Sequence, residues 1–143
     1  MPDRFSVIHT ERSDAVARLG RWLGLLRCAI GVSALVAPTL PATPWVGRVE
    51  AERSSVRLFT RTLGGRDLAL GLGAVLAPDT SQGLSSWTSL GALADAGDFF
   101  ATAVAFNKLP KLGRWLILTT TLMAAIVGAG LGLLLSARER ETI

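Results

Sequence analysis

One cysteine, one histidine and no tyrosine stand among 143 residues, and each scarcity removes a class of chemistry. A lone Cys28 excludes an internal disulfide and any cysteine-based metal cluster; set in an apolar run, it reads as a small buried hydrophobe. His9, alone in a polar N-terminal stretch, is too isolated for a histidine metal site or a nucleophilic triad. No P-loop is present, and the glycines of GGRDLALGLG do not match the dinucleotide fingerprint. Neither a metal nor a cofactor is therefore expected. Charge is sparse too, at 18% of residues, with Lys+Arg 15 against Asp+Glu 11. The basic residues gather in the N-terminal stretch, two linkers and the last residues. They form no continuous face interleaved with aromatics, which argues against a nucleic-acid partner. Attraction of juxtamembrane Arg and Lys to anionic lipid accounts for them.

What is abundant is hydrocarbon: 50% of residues are hydrophobic and the mean hydropathy is +0.43. About 20 apolar residues cross a bilayer as a helix. Residues 114–136 include the uncharged run WLILTTTLMAAIVGAGLGLLLS and predict one span. Residues 14–37 predict another, built on the run 22–37 that only Arg27 interrupts, with Ser13 as a cap at its start and Pro38 and Pro41 at its end. Residues 54–77 end before Pro78, and residues 86–109 end before Pro110. Trp22, Trp87 and Trp115 stand near span starts, where indoles favour the interface. Trp45 sits in the proline-rich linker APTLPATPWVGR. Short linkers imply antiparallel neighbours. The expectation is an all-α polytopic membrane protein: a single domain over residues 1–143, an antiparallel four-transmembrane-helix bundle with polar tails at 1–13 and 137–143. A cleaved signal peptide does not fit, because the n-region would be too long and more spans follow. Arg18 and Arg21 favour a cytoplasmic N-terminus, whereas Lys108, Lys111 and Arg114 favour the third linker inside; the balance taken is both termini inside. A multi-pass protein of the plasma membrane is expected.

Arg66, Asp67, Asp95 and Asp98 fall near the middles of their spans, so at ~1.5 Å rise per residue they share one depth; Arg27 reaches it by its length. The faces agree as well. Thr88, Gly91, Asp95, Asp98 and Thr102 make one stripe at spacings of three and four, and Thr60, Gly64, Asp67 and Gly71 a second. Gly20, Gly24, Arg27, Gly31 and Ala34 make a third, and Thr121, Ala125, Gly128 and Gly132 an uncharged fourth. Small residues let membrane helices approach closely. An unpaired charge at mid-membrane costs ~2.5–3.5 kcal/mol, so these five must neutralise one another. Two arginines against three aspartates leave one carboxylate over. Either Arg61 joins from a turn away or one aspartate keeps its proton. Thr119 to Thr121 are expected to bond their own helix, and Arg57 and Arg61 to snorkel.

The run LGGRDLALGLGAVLA, followed by ALADAGDFFAT in the next span, resembles the small four-helix membrane proteins of the DUF4267 group, which are similar to the broader DoxX-like families. The resemblance covers roughly residues 20–136 and implies a four-helix membrane fold. DoxX-like relatives are linked to quinone-coupled thiol and sulfur redox chemistry; this chain, with Cys28 alone, lacks the paired thiols for it.

Three functions fit the sequence. The first is a midplane pocket between helices that binds a small lipophilic or amphipathic ligand, or a proton, with Arg27, Arg66, Arg61 and Thr102 as ligand-binding residues. The second is an intramembrane enzyme, an isomerase, cyclase or epoxide-opening catalyst of an isoprenoid-like compound. Asp95, Asp98 and Asp67 would supply its acid–base chemistry. The third is an accessory membrane subunit whose charge cluster merely fixes helix register. The partners expected are the lipid bilayer, such a ligand and a second copy of the chain.

Overall fold

A computed structural model describes residues 4–77 and 81–141, and these residues are helical almost throughout. Helix α1 spans Arg4–Val36, α2 Thr39–Val46, α3 Arg48–Ala51, α4 Ser54–Leu76, α5 Ser81–Ala105 and α6 Lys111–Glu141; a 3₁₀ turn at Phe106–Lys108 follows α5. Three stretches are long and apolar enough to cross a membrane: Asp14–Val36 in α1, Gly83–Lys108 over α5 and its 3₁₀ turn, and Lys111–Ala137 in α6. The 23-residue α4 is long enough, at about 35 Å, but Arg57, Arg61, Arg66 and Asp67 dilute its hydrocarbon.

Two expectations about ends are corrected. Helix α1 begins at Arg4, so Ser13 is a helical residue and not a cap, and most of the supposed tail is helix. No glycine or proline lies between Phe5 and Leu19, so nothing breaks helical propensity there. At the other end α6 runs on to Glu141. The proposed stop at Pro78 lies outside the described residues.

The first linker is not a loop. Pro38 is the N-cap of α2 and Pro41 falls in its first turn, where a missing N–H has no intrahelical acceptor to lose. The helix ends at Gly47, whose φ of +88° turns the chain sharply into α3, a conformation that suits glycine alone. Helix α2 packs against α6, α1 and α4 across one end of the bundle.

Helices α1 and α4 form one antiparallel pair, and α5 and α6 another, joined mainly through α4 and α5. Glycine sets the first contact. A methyl group on Gly31 would lie 2.6 Å from the Leu68 nitrogen and 2.7 Å from the Gly64 oxygen, so backbone rests on backbone. The second pair closes where Gly128 meets Ala92 and Gly132 meets Ser89.

The interior is therefore built of small residues. Among the described residues the buried hydrophobic side chains are six alanines and Leu84, Leu131 and Leu135, and the largest side chain almost fully buried is Thr102. Large apolar groups point outwards instead: Leu26, Val36, Phe59, Leu93, Phe100, Val104 and Leu133 are all exposed. This inversion is what helices packed in lipid require, since hydrocarbon outside is as apolar as leucine and close packing is what holds the helices together.

Candidate functional site

The four stripes of small and polar residues face inwards. On α5, Thr88, Gly91, Asp95 and Thr102 are buried and Asp98 is half-buried; on α4, Thr60, Gly64 and Gly71 are buried around Asp67. On α1, Gly20, Gly24, Gly31 and Ala34 flank Arg27 in the same way.

At the centre the five charges meet in one network. Arg27 Nη1 donates to Asp67 Oδ1 at 3.1 Å. Its Nη2 donates to Asp95 Oδ2 at 2.5 Å and to the Gly91 carbonyl at 3.3 Å. The guanidinium lies over Gly91, where a methyl group would stand 3.3 Å from Nη2. Arg66 grips Asp98 with both ends of its fork, Nη1 to Oδ1 at 3.0 Å and Nη2 to Oδ2 at 2.8 Å. It also reaches its own neighbour, Nη2 to Asp67 Oδ1 at 3.1 Å. Three of the pairs, Arg27–Asp67, Arg27–Asp95 and Arg66–Asp98, each join two helices. Asp67 differs: a single oxygen accepts from both arginines, and among the described residues no donor reaches its Oδ2.

Asp95 is only 8% exposed. A charge so placed is sustained by its partner, because burial without one costs several kcal/mol. The planar five-donor arginine fork makes this geometry in a way a lysine ammonium does not.

Not every expected site residue joins. Arg61 is exposed and donates from Nε to the Leu35 carbonyl in the last turn of α1, at 3.2 Å. Thr102 is buried on the right face, yet its hydroxyl donates to the Asp98 carbonyl on its own helix. Thr119, Thr120 and Thr121 back-bond in the same manner.

The network forms part of the wall of a cavity of about 300 Å³ between the helices. Arg27, Asp67, Asp95 and Asp98 are its charged lining; Leu23, Leu26, Leu70, Ala124 and Val127 supply hydrocarbon. A smaller cavity of about 140 Å³ lies between α1, α4 and α2, and Ile30, Pro41, Trp45, Asp67 and Asp98 border both. Trp45 thus brings α2 into the site. Trp87 lines the larger cavity eight residues before Asp95, about 12 Å along α5, with its ring directly over Gly73.

Neither tryptophan was assigned to a site from sequence. A signal for Trp45 was present: residues 37–47 carry no charge, and an apolar stretch half a span long tends to re-enter or lie at the membrane surface. Comparison with known proteins adds no family: no family model, no curated protein and no solved structure matches the chain.

Proposed function

We propose that the chain is an integral membrane protein of the plasma membrane that binds a small lipophilic molecule between its helices, with the Arg27–Arg66–Asp67–Asp95–Asp98 network meeting the polar end of that molecule. All four long helices, α4 included, cross the bilayer in this reading. The observation that carries it is the coincidence of network and cavity. A purely structural clasp needs ion pairs, but it does not need hydrocarbon-lined space beside them. The volume is at the lower end of the ~300–1,000 Å³ typical of small-molecule sites. Helices α1 and α6 meet sparsely compared with the tight α1–α4 and α5–α6 pairs, and in this reading the ligand enters from lipid between them. The sequence resemblance to small four-helix membrane proteins supports the bundle.

Of the three carboxylates, Asp98 is the one whose bonding speaks against catalysis. A general acid or base must be able to reach the substrate, and both oxygens of Asp98 are engaged by Arg66. The test uses brominated dodecanol as a quencher of tryptophan fluorescence. Protein retaining only Trp45 and Trp87, with Trp22→Phe and Trp115→Phe, is placed in phosphatidylcholine nanodiscs. Saturable quenching that disappears on filling the cavity with Ala124→Phe is the expected result. Equal quenching of both proteins would remove the binding reading and leave the network as a clasp.

A further inference from the structure

We infer that the head group taken by this site is a cation with N–H donors, a protonated amine on an apolar body, and that Asp67 is the residue that selects it. The inference rests on the binding reading above and concerns which chemistry the cavity accepts.

The argument is one of charge and valence. Arg27 is held by Asp67, Asp95 and the Gly91 carbonyl, and Arg66 by Asp67 and Asp98. An anionic head would have to compete with carboxylates already in bidentate or bridging contact. The carboxylates are not balanced in return. Arg27–Asp95 and Arg66–Asp98 are complete pairs, which leaves the charge of Asp67 without a cation of its own. Its Oδ2 receives no donor from the described residues, nor does Asp95 Oδ1. Both side chains line the larger cavity.

Among the described residues, no other element supplies the missing charge. In the cavity wall, α6 presents Thr120 and Thr121, whose hydroxyls are bonded to their own helix, and α2 presents only Pro41 and Trp45. The indole of Trp45 borders the same space as Asp67 and attracts cations through its π face. An ammonium in the cavity completes the count, three cations against three carboxylates, and brings the donors that the free oxygens lack.

The experiment compares three brominated dodecyl probes that differ only in the head: primary ammonium, alcohol and sulfonate. Each is titrated at pH 7 against the protein with Trp45 and Trp87 alone, in zwitterionic phosphatidylcholine nanodiscs, and the Ala124→Phe signal is subtracted as non-specific. The ammonium is expected to half-saturate at a concentration at least tenfold below the other two. In Asp67→Asn, which leaves both complete pairs intact, that preference is expected to vanish. Cavity-dependent quenching in which alcohol or sulfonate equals or beats the ammonium overturns the inference while leaving the binding reading in place. A preference that survives Asp67→Asn overturns the role of Asp67. No cavity-dependent quenching by any probe overturns the binding reading and the inference together. The order of probes on the parent protein decides the head group even where Asp67→Asn does not fold.

Discussion

A buried guanidinium has value only while its carboxylates are present, and the five charges here are not interchangeable. Arg66→Gln removes the fork that holds Asp98 and leaves that carboxylate unpaired inside the bundle. Breaking a buried pair from one side costs about 3–5 kcal/mol, and the lower figure applies because Arg66 retains some exposure. Asp67→Asn is the opposite case. The amide oxygen still accepts from both arginines, and two complete pairs remain, so its expected cost is under about 1 kcal/mol. Unfolding of the two variants in mixed micelles, followed by helical circular dichroism, checks the difference; equal losses would contradict the pairing described. At this scale the sequence was informative. Spacing alone put Arg66, Asp67, Asp95 and Asp98 at one depth, with Asp67 on one inward stripe and Asp95 and Asp98 on another, because helix rise and turn are fixed. The same geometry explains why Arg61 stays outside the network: five residues before Arg66 is about 140° round the helix, on another face. The bond from the Thr102 hydroxyl to its own backbone was equally foreseeable, since buried threonines in helices commonly bond backward.

Between helices, the deciding quantity is how near one backbone lies to the next. Gly31 touches the backbone of α4 at Gly64 and Leu68, so Gly31→Ala forces α1 and α4 apart. Overpacking of this kind costs about 1–3 kcal/mol, and here the neighbour is main chain, which yields less than a side chain does. Gly130 on α6 has nothing within 4 Å of where its methyl would sit. Gly130→Ala should therefore stabilise by up to about 1 kcal/mol, through helix propensity alone. The two variants are expected to shift the unfolding midpoint in opposite directions; a shared sign would refute the packing of α1 on α4. The long helices are legible in the sequence from their apolar runs and the prolines that bound them, and their inward faces from small residues at spacings of three and four. Helix α2 was not. With prolines at 38, 41 and 44 it reads as a breaker run, and only the tertiary setting shows that two of them occupy the cap and first turn. The third, Pro44, rests its carbonyl against Gly113 at the start of α6. That contact joins residues far apart in the chain and has no local signature.

For the molecule as a whole, the number of crossings turns on α4. Judged by its own composition it falls short, and three stretches stand out as candidate spans. Composition, however, counts Arg66 and Asp67 as exposed charges. In the fold they are paired with each other and with Asp98 and Arg27, which removes most of the cost of placing them in hydrocarbon. A helix that packs backbone to backbone along α1 also shares its depth, and α1 includes one of the three candidate spans. The consequence is topological and needs no knowledge of which side is cytoplasmic. Glu52 lies between α3 and α4, and Asn107 in the 3₁₀ turn between α5 and α6; both are exposed. If α4 crosses, two spans separate these residues and they lie on the same side of the membrane. If α4 does not cross, only α5 separates them and they lie on opposite sides. Single cysteines placed at 52 or 107 in a Cys28→Ser background, labelled with a membrane-impermeant maleimide in intact cells and again after permeabilisation, distinguish the two. The expected result is matching behaviour at both positions, with Ala137→Cys, beyond one further span, behaving in the opposite way. Opposite labelling at 52 and 107 would mean three crossings, and the paired charges would then have to be explained without a bilayer around α4.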